Sequence, residues 1–383
     1  MMGRRGAERG QPDVSGLAEG LLRRGLAAGA TDLHFEPTDT GLLVRVRVDG
    51  QLLDFETVPA ELAPNLVARL KVLGALLTYR MDIPQEGSVR FAAGPGAEAV
   101  DLRIAAFPTI RGERVVVRVF GREQDLKGLE ALGLTAAQVR MLRQAVAQPA
   151  GLIVVTGPAG AGKTTTLYAL IRELRDHHPG RCVITLEDPV EQRLDGVTQI
   201  QVNPYGELSY GRCLRSLLRQ DPQVLLLGEV RDGETAALAV EAALTGHLIL
   251  TTLHSGGPAE TIVRWLEMGV APYQLVSTLT LVCAQRLVRR LCSECRGRKQ
   301  SSCGRCLGTG YHGRVAVAQV VRLDESVREE VLRRAPAARL REVLKVQGPG
   351  LAQQGARLVS EGVTDAPEVA RVLGTEPAIE STG

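Results

Sequence analysis

Aromatic residues make up only 3% of this 383-residue chain, and there is a single tryptophan. That scarcity argues against a surface on which unpaired bases stack one after another. Charge points the same way. Lys and Arg number 46 against 43 Asp and Glu, and a net +3 is too small to demand a nucleic-acid partner. No apolar run reaches the ~18 residues that a membrane-spanning helix needs. The basic start, Met1 to Gly10, leads into no apolar segment, so it does not read as a secretory signal. Residues 1–13 read instead as a flexible tail. With 44% hydrophobic and 23% charged residues the remainder is ordinary for a globular chain, long enough for two or three domains.

The most informative stretch runs from Leu152 to Leu167. An apolar β-branched run leads into a glycine-rich turn, Gly157-Pro158-Ala159-Gly160-Ala161-Gly162, and then into Lys163-Thr164-Thr165 at the start of a helical pattern. Gly157, Gly162, Lys163 and Thr164 satisfy the G-x-x-x-x-G-K-[ST] spacing of a phosphate-binding loop. Glycines let the backbone curl so that its N–H groups face phosphate oxygens. Lys163 brings a point charge to the β- and γ-phosphates, and Thr164 offers a hydroxyl to Mg²⁺. A nucleoside triphosphate is the expected ligand.

Around this stretch the chain divides. Residues 14–120 predict an α+β domain: a helix over 14–28, a strand over 31–37, an alternating strand over 42–49 closed by the Asp49-Gly50 hairpin signal, a helix over 62–77, and strands near 100–105 and 114–120. Arg103 and Arg118 sit on those last strands, where a solvated strand face is the plain alternative. Residues 121–128 read as a linker and 129–383 as a second domain in which strands alternate with helices, the mark of a parallel sheet. Four apolar runs there each end in chemistry: 152–156 at the glycine-rich loop, 182–186 at Glu187, 224–227 at Gly228-Glu229, and 248–253 at His254. In open α/β sheets ligands bind beyond the carboxyl ends of the strands, so parallel neighbours would converge on the γ-phosphate. Glu229 follows its strand as a Walker-B acid does, with Gly228 where many NTPases carry aspartate, so its metal contact is expected to be indirect. Glu187 is the better candidate for orienting or deprotonating the attacking water. Either acid could instead be a strand-end surface carboxylate.

Two further patterns stand out. Arg212, Arg215 and Arg219 are spaced by three and four, which places them on one helix face. Cys292-x-x-Cys295 and Cys303-x-x-Cys306 supply four thiolates suited to tetrahedral Zn²⁺, the alternative being reduced structural cysteines. The seven residues between the pairs are fewer than usual for a zinc ribbon. Cys182, Cys213 and Cys283 read as small core residues.

Several longer segments resemble one family. Thr185 to Glu191 looks like the aspartate box of the type II secretion and type IV pilus assembly ATPases (the GspE/PilB family). Leu218 to Pro222 with Gly228 to Asp232 resembles their Walker-B region, and Thr245 to His254 their histidine box. In the first domain the resemblance takes in Thr31 to Pro37, Arg69 to Lys71, Asp101 to Arg103 and Gly112 to Val116. It implies a P-loop NTPase (RecA-like) α/β motor domain, a smaller N-terminal α+β (PAS-like) domain and a small zinc-binding insertion. It further implies a cytoplasmic homo-hexamer, peripherally associated with the inner membrane through a platform protein. Arg103 and Arg118 would be arginine fingers, Arg215, Arg219 and Arg231 would face the nucleotide, and His247 and His254 would sense the γ-phosphate or couple structurally. Retraction motors of the superfamily lack the tetracysteine element, so assembly or secretion is favoured. A DNA-uptake or conjugation-type motor moving nucleic acid is the alternative, disfavoured by the charge and the aromatic content. Two departures are noted. The family's Pro-Gln-Asp-Gly-Arg stands here as Pro84-Gln85-Glu86-Gly87-Ser88, and the extra N-terminal docking domain of full-length relatives is expected to be absent.

Overall fold

The computed structural model describes residues 13–92, 94, 99–120, 128–203, 208–298 and 303–374. The tail expected over 1–13 therefore lies outside it except for Asp13, as does the expected linker except for Gly128. The chain separates into two compact units, 1–122 and 123–383.

In the first unit, α1 (Val14–Ala27) is opened by Asp13, whose carboxylate accepts from Gly16 N–H. Then come β1 (Asp32–Thr38), β2 (Gly41–Val48), β3 (Gln51–Pro59), α2 (Ala63–Leu73), β4 (Gln85–Ala92), β5 (Ala99–Thr109) and β6 (Gly112–Phe120). The six strands form one sheet in the order β3-β2-β1-β6-β5-β4, every neighbour antiparallel. Alternation decides its two faces. Leu33, Phe35, Val44, Val46, Leu102, Ile104, Val115 and Val117 turn inward to join Leu21 and Leu22 of α1 and Leu66 and Leu70 of α2. Asp32, His34, Arg45, Arg47, Arg103, Arg114 and Arg118 occupy the other face. The expected helix over 62–77 ends early, at Leu73, where Gly74 and the left-handed Ala75 turn the chain.

The second unit is a three-layer α/β/α body. Its elements are α3 (Ala136–Val146), β7 (Gly151–Thr156), α4 (Lys163–His177), β8 (Val183–Glu187), β9 (Thr198–Gln201), α5 (Tyr210–Leu217), β10 (Val224–Leu227), α6 (Gly233–Leu244), β11 (Leu248–Leu253), α7 (Pro258–Glu267), α8 (Pro272–Thr278), β12 (Leu279–Leu291), β13 (Tyr311–Arg322), α9 (Glu325–Leu332), α10 (Ala337–Leu344), α11 (Leu351–Ser360) and α12 (Ala366–Leu373). The sheet order is β13-β12-β7-β11-β10-β8-β9, parallel except for β13. The four expected strands are thus neighbours, β7-β11-β10-β8, and all run the same way. They are apolar throughout because both faces are covered. Leu152 and Val154 face one core with α5 to α10, and Ile153 and Val155 face the other with α3 and α4.

The C-terminal helices are fastened by a buried charge. Glu368 of α12 accepts from Arg371 at 2.6 and 2.7 Å and from Arg289 of β12 at 2.6 Å. Arg289 also lies over the Tyr311 ring at 4.1 Å. Burial alone would raise the Glu368 carboxyl, but the two arginines hold it at about 2, down from 4.5. A depressed acid contributes stability above its unfolded value and loses it as pH falls through the folded one. Glu368→Gln is therefore expected to cost on the order of 2–3 kcal/mol near neutrality, with the difference from the unsubstituted protein shrinking between pH 4.5 and 2. Denaturation midpoints across that range test it, and a constant difference would refute it.

Candidate active site

The carboxyl ends of β7, β11, β10 and β8 open into one cavity of about 230 Å³. Ala159, Gly160, Lys163 and Thr164 line it from the glycine-rich loop. Gly157, Pro158, Ala161 and Gly162 form the loop without lining the cavity, and Thr165 is exposed on α4. Gly157 has a φ of +154°, and a Cβ there would lie 2.5 Å from the Gln285 backbone oxygen. The first glycine of the motif is thus demanded by a neighbouring strand as well as by the turn. Lys163 Nζ donates to the carbonyls of Gly157 at 2.8 Å and Pro158 at 3.1 Å. Burial, reinforced by the Arg286 charge, lowers its pKa.

Glu187 ends β8 on the cavity wall, 3% exposed. Its carboxylate is held from three sides. Thr185 Oγ1 donates at 2.5 Å, Gln199 Nε2 of β9 donates at 3.1 Å, and the Tyr168 hydroxyl of α4 makes a short hydrogen bond. Burial and the adjacent carboxylate raise the Tyr168 pKa, which keeps that hydroxyl a donor. Tyr168 and Gln199 were not among the expected site residues. Tyr168 lies one turn beyond the loop motif in a stripe that reads as core, so periodicity alone conceals it.

Glu229 follows β10. Its Oε2 accepts from Arg231 at 2.8 and 2.9 Å, and its Oε1 lies 3.4 Å from His254 Nε2. His254 in turn lies 3.4 Å from Lys163 Nζ. Glu229, Arg231, His254 and Lys163 therefore form one continuous chain of polar contacts along the cavity wall. Gly228 is explained here. A Cβ at this position would meet the Tyr210 hydroxyl at 2.9 Å and the Leu186 carbonyl at 3.2 Å, so an aspartate would crowd both and push the Tyr210 hydroxyl aside.

Other expected residues of the second unit are not brought to this cavity. His247 precedes β11 and His254 follows it, so the two stand at opposite ends of the strand, roughly 20 Å apart by strand rise. His247 Nδ1 pairs with the Ala242 carbonyl at 2.9 Å, a local contact at the amino end of β11 and away from this cavity. Arg215 is exposed and bridges to Glu234 at 2.8 Å. Arg219 lies beyond the end of α5, so the shared helix face holds for Arg212 and Arg215 only. Arg103 and Arg118 belong to the first unit, where they face each other in the β5–β6 register. Arg103 pairs with Glu86, and Arg118 donates to Asp32 at 2.8 Å. Burial would raise the Asp32 carboxyl, but Arg118, Thr31 and Arg47 bring it below its ordinary value. Cys182 is exposed and is no core residue, whereas Cys213 and Cys283 are buried.

At the far end of β12 the four expected cysteines meet. Their sulfurs all lie within 4.8 Å of one another, with Cys292–Cys303 at 3.9 Å and Cys295–Cys306 at 3.7 Å. A tetrahedral zinc with bonds of about 2.3 Å requires sulfur separations of about 3.8 Å, so the donor set fits the ion. The two halves repeat one conformation. In Cys295-Arg296-Gly297 and Cys306-Leu307-Gly308 both residues after the cysteine are left-handed, with φ of 49° and 78° in one and 51° and 77° in the other. Each pair therefore sits in its own tight knuckle, which is how a gap of only seven residues suffices.

Known proteins bear on this geometry. A family profile described as type II/IV secretion system protein matches residues 8–371. Type II secretion system protein E of Pseudomonas aeruginosa is 37% identical over a 382-residue alignment covering 94% of this chain and 75% of that protein. Type IV pilus assembly ATPase PilB of Thermus thermophilus is 34% identical, across 91% of this chain and 42% of that one. The solved structure of the Legionella pneumophila ATPase DotB superposes with a TM-score of 0.72 over 92% of this chain and 93% of that one; at 22% identity the likeness is one of fold. On the length and strength of these matches, the chain belongs to the type II/IV secretion system protein family.

Proposed function

We propose that this chain is a Mg²⁺-dependent ATPase that works as a homo-hexameric ring and powers assembly of a type IV pilus or a type II secretion pseudopilus. One observation carries the reading: four parallel strand ends bring Lys163, Thr164, Glu187, Glu229 and His254 around a single cavity. The Thr164 hydroxyl and Glu229 are hard oxygen donors that would hold Mg²⁺, Glu229 through water because Gly228 carries no carboxylate. Bound there, the ion would neutralise charge on the β- and γ-phosphate oxygens. Lys163 exchanges its two loop carbonyls for those oxygens. Glu187, fixed by its three donors, orients the attacking water. Arg103 and Arg118 exchange Glu86 and Asp32 for the γ-phosphate when the first unit closes over the second, and fingers of this kind can contribute roughly 10³–10⁵ in rate. The closing motion is passed to a platform protein of the inner membrane, at whose inner face the ring sits. Among the described residues no helix is long and apolar enough to cross a membrane.

Phosphate release from ATP in the presence of Mg²⁺, abolished by EDTA, together with a hexamer in sedimentation, is the expected result. No release under these conditions would overturn the reading.

Zn²⁺ would be held by Cys292, Cys295, Cys303 and Cys306 as a closed structural site with no open position. The purified chain is expected to carry one zinc by elemental analysis. Cys303→Ser should lower that content and weaken folding by several kcal/mol, since structural zinc binding is folding energy. Full zinc retention with an unchanged unfolding midpoint would exclude the assignment.

A further inference from the structure

We propose that Gln285 of β12 is the positioning residue of the nucleotide loop, an inference that rests on the nucleotide-site reading above. β12 runs parallel beside β7, pairing Cys283 with Val155 and Ala284 with Thr156. Gln285 therefore stands level with the point where β7 gives way to the loop. It is 1% exposed and does not line the cavity. Its Nε2 donates to the Ala161 carbonyl at 2.7 Å, and its Oε1 accepts from the Thr166 hydroxyl at 2.9 Å. These contacts bracket Lys163 and Thr164 from either side. The glycines of the motif close on the same residue: a Cβ at Gly162 would lie 3.2 Å from Gln285 Nε2, and one at Gly157 2.5 Å from its backbone oxygen. Arg286, the next residue, donates to the Gln285 carbonyl at 2.9 Å and to the Gly256 carbonyl at 2.8 Å, extending the anchor to the turn after His254.

The physical consequence follows from the planar trans peptide. The Ala161 carbonyl and the Gly162 N–H belong to one rigid plane and point in opposite directions. Fixing the carbonyl on Gln285 therefore aims that N–H away from β12. An apolar side chain of equal size could fill the space, but it could not choose between orientations of the plane. It would also strand a buried carbonyl and a buried hydroxyl. Gln285 thus acts on phosphate through the loop, without touching it.

The test separates positioning from stability in the full-length chain, with ADP and Mg²⁺ as the probe by titration calorimetry and thermal unfolding run alongside. Gln285→Leu should weaken ADP roughly 10–100-fold, the scale of one lost hydrogen bond to a charged group. Adding Thr166→Val removes the orphaned hydroxyl, so Gln285→Leu/Thr166→Val should regain much of the unfolding midpoint and none of the affinity. Gln285→Glu keeps an acceptor for Thr166 but offers Ala161 no donor, and it should bind ADP as weakly as Gln285→Leu. If affinity returns together with the midpoint in the double variant, or if Gln285→Glu binds like the unsubstituted chain, the proposal falls. Should Gln285→Leu fail to fold, the other two variants carry the decision. Absence of ADP binding by the unsubstituted chain would remove the nucleotide-site reading itself, and this inference with it.

Discussion

Glu187→Gln is expected to lower steady-state ATP turnover by roughly 10²–10⁴ while leaving nucleotide affinity within a few-fold, the range over which a positioned acid–base group contributes. The reason lies in the shape of the site. The amide is isosteric with the carboxylate, and the Thr185 and Tyr168 hydroxyls can each rotate to accept as well as donate, so packing under β8 survives. The formal charge facing the attacking water does not. Binding relies on a different set, Lys163, Thr164 and the backbone of the glycine-rich loop, which the substitution leaves intact. Phosphate release and ADP titration on the same preparation decide the matter. Unchanged hydrolysis would sink the role assigned to Glu187, and equal loss of binding would show that its contribution is to the architecture of the cavity.

The second large effect is expected in the first unit. Lys71 of α2 and Glu113 at the start of β6 form an ion pair at 2.6 Å with side chains only 1% and 6% exposed, and Lys71 Nζ also donates to the Arg80 carbonyl at 2.8 Å. A buried charge deprived of its partner is costly. Lys71→Met should destabilise the chain by about 3–5 kcal/mol in denaturant unfolding. Replacing both partners, as Lys71→Met/Glu113→Leu, removes the stranded charge and should recover most of that loss, since well-packed apolar pairs often match a buried ion pair. A double variant no more stable than Lys71→Met would show that the pair itself, and the Arg80 carbonyl it ties down, organises the turn between α2 and β4.

Much of this protein was legible without coordinates because the signals are local. The glycine-rich loop, the apolar parallel strands and their chemical ends, the Asp49-Gly50 turn, where both residues are left-handed, and the two cysteine pairs each depend on residues within one short window. Other elements escaped. β3 and β4 lack a long apolar stripe because a large part of each faces solvent. β12 and β13 form a ribbon whose charged ends mask its apolar middle. The helix expected to carry Arg219 stops at Leu217, where the hydrogen bonds tighten to three-residue steps, Arg219 N–H to Ser216 and Gln220 N–H to Leu217.

What the sequence determined alone was the inventory: a phosphate loop, acids at strand ends, four thiolates at ligand spacing, and the family that their order resembles. Tertiary structure decided which members of that inventory meet. His247 and His254 share one motif but stand at opposite ends of one strand, because a strand separates its termini. Gln285 lies more than a hundred residues from Ala161 and Thr166 in sequence yet holds both, because β12 inserts beside β7. Tyr168 reaches Glu187 only because α4 packs on the same face of the sheet that β8 completes. Periodicity and spacing report on a single element, whereas hydrogen-bond partners are chosen by the sheet order, which no local window encodes.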